Sequence, residues 1–240
     1  MNEIMEIFSQ IVKEVKKFSD PEKPKKLYKF FKAFPGGYGE GDKFYGISMP
    51  NLRNIARDYK NLDLEELQKL FENEYHEIRM LGLIILIKQF ELKKNIDRRE
   101  EFVEFYLKNI EYYNNWDLID VSAPKILGEY LLNKEKNLIY ELAESNDLWK
   151  QRIAMLTTFT FIRNRKFEDC LKLAEMYLSH PHDLIHKATG WMLREIGNRH
   201  RPTESKFLKK YYQKMPRTML RYSIEKYPEE ERQKYLKGKI

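Results

Sequence analysis

The chain has 240 residues, of which 42% are hydrophobic, 34% charged and 14% aromatic, with a formal net charge of +7. This composition excludes a disordered chain and leaves room for one large core or an array of small repeats. The single cysteine, Cys170, excludes internal disulfides and a cysteine metal cluster. The longest apolar run, residues 81–87, is too short to span a bilayer, and the N-terminus lacks the apolar core of a signal peptide, so we expect a cytoplasmic protein.

The positive charge is concentrated at the C-terminus. Residues 199–240 contain 13 Lys and Arg against 5 Asp and Glu, which leaves the rest of the chain nearly neutral. A local surplus of this kind is typical of a surface that binds nucleic acid, and a solvated helix face gives the same pattern. Both interpretations stay open on composition alone.

The first elements are two helices followed by a loop. Apolar residues at helical spacing predict a first helix, Asp20 and Pro21 end it, and residues 25–33 form the second. Four glycines and a proline make residues 35–45 a glycine-rich loop. This loop lacks the GxxxxGK[ST] spacing and follows no strand, so we do not expect it to hold a phosphate.

The remaining chain alternates helices with short turns. Ser48, with Pro50 in the first turn, begins a helix that reaches Tyr59, and Asp63 caps the next. Further helices are predicted at residues 77–90, 97–110, 116–132, 135–143, 148–162, 167–178, 182–196 and 204–212, before a basic C-terminal end. Bounded period-two runs of β-branched residues are missing from the sequence. The predicted fold class is all-α.

Four of these helices begin alike and give the chain a period. Superposing their apolar runs places Arg79, Asp120, Arg152 and Lys187 at equivalent positions, 41, 32 and 35 residues apart. Helix pairs at this interval indicate an α-solenoid of HEAT-like repeats, which we expect to fill residues 1–240 as a single domain. The starts of the inner helices of such a stack line one concave face. The sequence therefore predicts a curved solenoid with a basic concave face and one carboxylate in it, which suits duplex DNA.

Asp120 and two tryptophans are the candidates for chemistry on this face. Trp116 shares a helix face with Asp120, and Trp191 shares one with Lys187, because residues four apart are neighbours on a helix. The alternative is that both tryptophans are core residues. Asp117, at the helix start, is expected to serve as a cap or dipole residue, whereas Asp120 lies one turn inside.

Basic side chains near this face have two interpretations. Arg79, Arg152, Lys187 and Arg194 either bind phosphates along the groove or pair with neighbouring acids such as Glu77, Asp183 and Glu195. Three histidines, His180, His182 and His186, are close in sequence, but HDLIH lacks the glutamate of HExxH and has no evident third ligand. We expect no metal site.

Four strings of sequence carry a family resemblance. NNWDLID at residues 114–120, LWKQR at 148–152, HKATGWMLREIG at 186–197 and FYGISMPNLR at 44–53 resemble the HEAT-like DNA alkylation repair enzymes. The motifs occur in the order and at the spacing of that family, from about residue 21 to residue 222. Each string alone is weak, and their combination is specific.

The resemblance implies an alkylpurine DNA glycosylase, which hydrolyses the N-glycosidic bond of cationic N3- or N7-alkylated purines in double-stranded DNA. It implies no metal or organic cofactor and no flipping of the base into a pocket. Asp120 corresponds to the catalytic aspartate, Trp116 and Trp191 to the aromatic residues that hold the lesion, and Arg152 to a phosphate-contacting arginine. Where a tyrosine is expected near the lesion, this chain has Phe30 or Phe31.

Two other functions compete with the glycosylase. One is a non-catalytic DNA-binding repeat protein that recognises distorted or branched DNA, and the other is a protein-binding scaffold. A carboxylate repels phosphate, so Asp120 argues against pure DNA binding, and the basic surplus with the paired tryptophans argues against the scaffold. We expect a monomer that acts on DNA without contacting a membrane.

Overall fold

The computed structural model describes residues 2–240, with side chains from residue 7 onward. The fold is all-α, as predicted, and within the described residues the only β pairing is an isolated bridge between Lys43 and Tyr75. No helix in this part of the chain has the length and apolar character needed to cross a bilayer. In chain order the helices are α1 (Asn2–Lys16), α2 (Pro24–Phe30), α3 (Met49–Asp58), α4 (Leu64–Phe71), α5 (His76–Glu91), α6 (Arg99–Lys108), α7 (Trp116–Ser122), α8 (Glu129–Leu131), α9 (Asn137–Glu144), α10 (Leu148–Arg163), α11 (Glu168–Met176), α12 (Asp183–Arg199), α13 (Arg201–Tyr211), α14 (Arg217–Ser223) and α15 (Glu229–Leu236).

The chain divides into two compact units, Met1–Leu118 and Ile119–Ile240, and the boundary falls within α7. In the first unit α5 is the central element, because α3, α4 and α6 all pack against it. Its residues are buried almost all the way round, which is typical of a core helix and unlike the one-sided stripe of a surface helix. The single HEAT-like domain over residues 1–240 and the curvature of a solenoid stay predictions.

The second unit is built around α10 and α12. These two helices pack against each other, α9 and α11 pack on α10, and α13 and α14 pack on α12. The helices α13 to α15 lie within the basic C-terminal end that the sequence predicts. Alternating packed helices are the arrangement that the helix-pair period predicts for this part of the chain.

A side-chain cap marks the start of one of two helices whose first residues were predicted. The Asp63 side chain accepts from the Glu66 N–H at 2.8 Å while Glu66 accepts from the Asp63 N–H at 3.3 Å, a reciprocal capping box at the start of α4. Ser48 is the extended residue before α3, as expected, although its side chain makes no capping hydrogen bond.

The predicted helix at residues 116–132 was wrong as one continuous α-helix. The α-helix ends at Ser122, a π-helical turn follows at Pro124–Gly128, and α8 resumes at Glu129. Pro124 has no N–H to donate into the preceding turn, and the Gly128 N–H instead donates five residues back to the Ala123 carbonyl at 3.0 Å. The Pro124 carbonyl accepts from the Thr160 hydroxyl at 2.6 Å, which ties this turn to α10.

Candidate functional site

Asp120 is held by a buried arginine. Arg152 donates from Nε to Oδ1 and from Nη2 to Oδ2 of Asp120, both at 2.8 Å. Its third donor, Nη1, reaches the Leu184 carbonyl at 2.7 Å. A two-point hydrogen bond of this kind fixes the plane of the carboxylate as well as its position. The Asp120 side chain is 15% exposed and that of Arg152 only 5%, so the arginine lies beneath a carboxylate that still reaches the surface.

The start of α10 places Arg152 at this position. Asp147 caps the helix by accepting from the N–H groups of Trp149 at 2.8 Å and Lys150 at 3.0 Å. The cap fixes where the helix begins, and Arg152 lies one turn further on. Three donors of Arg152 bind acceptors within the protein, two of them on Asp120, and a contact of Arg152 with a DNA phosphate stays a prediction.

Arg79, which the sequence offers either as a phosphate ligand or as a partner of a neighbouring acid, is paired within the protein. It is buried, and its Nη2 pairs with Asp42 Oδ1 at 2.6 Å while its Nη1 donates to the Asn73 carbonyl at 2.7 Å. The sequence suggested the adjacent Glu77 as its acidic partner, but the ion pair is formed with a residue of the glycine-rich loop. The predicted contact of Arg79 with a DNA phosphate stays a prediction.

Lys187 and Arg194 are more accessible than Arg79 and Arg152. Lys187 lies on α12 with its side chain 40% exposed and pairs with Asp183 at 2.6 Å, as its spacing suggested. Arg194 pairs with Glu225, on the segment after α14, and not with the adjacent Glu195. Exposed ion pairs contribute little to stability, so Lys187 can exchange its carboxylate for a phosphate at small cost.

Trp116 forms an aromatic cluster with Phe30 and Phe31 in the first unit. Trp116 is partly buried, and its ring lies 5.6 Å from that of Phe30, at 72°, and 5.6 Å from that of Phe31, at 39°. Phe30 is 61% exposed whereas Phe31 is 8% exposed. The sequence left open which phenylalanine occupies the expected tyrosine position. Only Phe30 presents its ring to solvent.

Trp191 has an aromatic neighbour that sequence reasoning missed. Its ring lies 5.6 Å from the ring of Phe159, and both side chains are partly exposed. The guanidinium groups of Arg163 and Arg199 lie about 6 Å from the Phe159 ring, at 6.0 Å and 5.9 Å. Phe159 follows Arg152 by seven residues, which is two helical turns. The helical periodicity of the sequence could therefore have placed Phe159 on the same side of α10 as Arg152.

A buried histidine of the first unit joins two carboxylates, and it too was missed. His76 Nδ1 lies 3.1 Å from Asp42 Oδ2, and its Nε2 lies 2.8 Å from Asp117 Oδ2. Asp117, expected to be a cap or dipole residue, lies in the first turn of α7 and its Oδ1 accepts from the Leu118 N–H at 3.0 Å, while its Oδ2 reaches across to α5. Burial opposes a charged imidazole, yet the Asp117 and Asp42 carboxylates outweigh it and raise the pKa of His76 to about 9.

The end of the glycine-rich loop and the two residues after it are anchored by an acid of α5. The Glu77 carboxylate accepts from the N–H groups of Tyr45 at 3.1 Å, Gly46 at 2.8 Å and Ile47 at 3.3 Å. Successive N–H groups that converge in this way form an anion-binding nest. Here the anion is a side chain of the protein itself, and it fixes the chain where the loop ends.

The three clustered histidines have separate partners. His180 Nε2 lies 2.8 Å from Gln151 Oε1, His182 Nδ1 accepts from the Leu184 N–H at the start of α12, and His186 Nε2 contacts the His180 carbonyl. Across the described residues, no group of three His, Cys, Asp or Glu side chains has an arrangement that could hold a metal ion. Cys170 is buried.

Comparison with known proteins shows which solved structure shares this fold and which family the sequence matches. A solved structure described as "Predicted DNA alkylation repair enzyme from Enterococcus faecalis" superposes with a TM-score of 0.60 at 13% identity, covering 87% of this chain and 96% of that one. At this identity the likeness shows the helical fold alone. The sequence model of the DNA alkylation repair enzyme family matches residues 11–227. The chain belongs to that family, which supports a role in DNA alkylation repair with DNA as the partner. No match was found among curated proteins.

Proposed function

We propose that the protein is a DNA glycosylase that hydrolyses the N-glycosidic bond of N3- or N7-alkylated purines in double-stranded DNA. The observation that carries the proposal is the carboxylate of Asp120, which Arg152 orients from below with two hydrogen bonds and which keeps 15% of its side-chain surface exposed.

The residues fit the chemistry of this reaction. An alkylated purine carries a positive charge, so the bond from C1′ to its nitrogen breaks with the electron pair going to the base, which leaves neutral. Positive charge then develops on the sugar, and a fixed carboxylate stabilises it more than a mobile one because no reorganisation is needed. Water adds its oxygen to C1′, and Asp120 accepts the proton. The charge already on the leaving group removes the need for a metal or organic cofactor.

Aromatic and basic side chains have supporting roles in the proposal. Trp116 and Trp191 are the lesion contacts, with Phe30 beside Trp116 and Phe159 beside Trp191. An aromatic face next to a cationic sugar is worth about 1 kcal/mol or more when the contact is desolvated. Lys187 and Arg194 are the proposed phosphate contacts, which set the register on the duplex without reading its sequence.

A direct assay tests the proposal. The purified protein is incubated with duplex DNA that contains 7-methylguanine, and both products, the free base and the abasic site, are quantified. We expect the two to appear in equal amounts and faster than spontaneous loss. Release of base no faster than in buffer would refute the glycosylase.

The alternative is a non-catalytic protein that binds distorted DNA. The observation that favours it is the basic C-terminus, where Lys209 and Lys210 at the end of α13 are exposed. The same assay separates the two functions when a gel mobility shift of the lesion duplex is measured beside it. A pure binding protein shifts the mobility of the duplex while releasing no base.

A further inference from the structure

His76 is connected to Trp116 by two independent contacts within the first unit. Through Nε2 it holds Asp117, the residue that follows Trp116 in the first turn of α7. Through its ring face it stacks on Phe31, with ring centroids 4.7 Å apart and planes at 25°. Phe31 in turn contacts the Trp116 ring at 5.6 Å. His76 therefore supports Trp116 in two ways, through the backbone next to Asp117 and through the ring of Phe31.

The other side of His76 is fixed by the glycine-rich loop. Asp42 holds His76 Nδ1, and its second oxygen, Oδ1, accepts from Arg79 Nη2 at 2.6 Å and from Asn114 Nδ2 at 2.7 Å. Burial opposes ionisation of Asp42, but the hydrogen bond from His76 and the Arg79 guanidinium hold the pKa of that carboxyl below its usual value. The loop packs so closely that a side chain at Gly39 would lie 2.5 Å from the Phe31 carbonyl and 2.7 Å from Asn115 Nδ2. Asp42 and the packed loop therefore fix the Nδ1 side of the His76 ring.

The bridge between the two carboxylates requires the charged form of the histidine. A neutral imidazole has one N–H and can donate to only one carboxylate, whereas the imidazolium donates to both. The charged groups around the ring are Asp42, Asp117, Glu77 and Arg79. A glutamine at this position has no ring to stack on Phe31 and carries no charge, so it breaks both connections to Trp116 at once.

We propose that His76 is a positioning residue, which fixes the orientation of Trp116 by bridging Asp42 to Asp117 and by stacking on Phe31. Its consequence for catalysis rests on the proposed function, in which Trp116 contacts the lesion. His76 itself touches no substrate. The orientation of Trp116 can be measured without any reaction, so the two proposals can fail separately.

Fluorine NMR of protein labelled with 5-fluorotryptophan detects a change in the position of the Trp116 ring through the surroundings of its fluorine. The three tryptophans give three resonances, and Trp116→Phe assigns one of them. In His76→Gln we expect the Trp116 resonance to move by more than its line width or to split, while those of Trp149 and Trp191 stay in place as internal controls. Asp117→Asn keeps the size of the side chain and removes the ion pair, so it should move the same resonance even if His76→Gln folds poorly. His200→Gln, at an exposed histidine, is the matched control and should move none.

The second readout is single-turnover excision, measured beside DNA affinity. In His76→Gln we expect the excision rate constant to fall about tenfold or more, because small misplacements of positioning groups have effects of this size, while the DNA dissociation constant changes little. An unmoved Trp116 resonance in His76→Gln and Asp117→Asn overturns the proposal. A moved resonance with wild-type excision overturns the role of His76 in the reaction. If the wild-type protein releases no base and the resonance still moves, the positioning of Trp116 stands and the proposed function fails.

Discussion

Raising the pH above neutrality should lower the free energy of unfolding, because His76 loses its proton. Its pKa is about 9 in the folded protein, against an ordinary value of 6.5. Because the folded pKa is the higher one, the stabilisation is complete below about pH 6.5 and is lost as the pH rises through about 9. At about 1.4 kcal/mol for each unit of pKa difference, the contribution is about 3 kcal/mol at its full value. This is a large part of the stability of a typical domain.

Urea denaturation of wild type and His76→Gln at about pH 6 and about pH 10 measures this contribution. Lysines and tyrosines titrate over the same range in both proteins, so the difference between them isolates His76. We expect the difference in the free energy of unfolding between wild type and His76→Gln to shrink by about 3 kcal/mol from the lower pH to the higher. Two curves that stay parallel with pH would refute the bridge between the carboxylates.

Three further substitutions have consequences that can be measured. Arg152→Lys keeps a charge but cannot make the two-point hydrogen bond to Asp120, so we expect a loss of about 1–3 kcal/mol in urea unfolding together with slower excision. Gly128→Ala places a methyl group 2.7 Å from Thr160 Oγ1, inside the contact between the π-helical turn and α10, and should lower the free energy of unfolding by about 1–3 kcal/mol. Glu204→Gln tests a buried acid whose pKa burial raises to about 8. Because ionising Glu204 disfavours the folded state from about pH 4.5 upward, the glutamine should be stabilising by about 1–3 kcal/mol near pH 8 and close to neutral near pH 4.5, as read from denaturation midpoints.

Helical periodicity was sufficient for the fold class and for most helix positions, because the spacing of apolar residues and the caps act over a few neighbouring residues. Asp63 illustrates this, since its capping box can be read from four consecutive residues. Pro124 shows where the approach fails. The apolar pattern continues through it, and only the geometry of a proline within a helix explains why the chain changes to a π-helical turn there.

Pairings between distant residues account for what the sequence did not predict about the site. The repeat placed Arg79 and Arg152 at equivalent positions and suggested exposed bases, but both are buried, and each has a carboxylate partner far along the chain, Asp42 and Asp120. The bond between His76 and Asp117 joins residues 41 positions apart. Local spacing carries no information about such contacts. Phe159 is the exception, because it lies at a helical interval from Arg152 and was overlooked.

The measurement that tests the central claim most directly compares Asp120→Asn with wild type in single-turnover release of 7-methylguanine from duplex DNA. Asparagine keeps the shape of the side chain and removes the negative charge that the developing sugar cation needs. Asp97→Asn, at an exposed aspartate of the first unit, is the matched control. We expect wild type and Asp97→Asn to release base at the same rate and Asp120→Asn to be slower by about 100-fold or more. An Asp120→Asn protein that releases base as fast as wild type would contradict the assignment of Asp120.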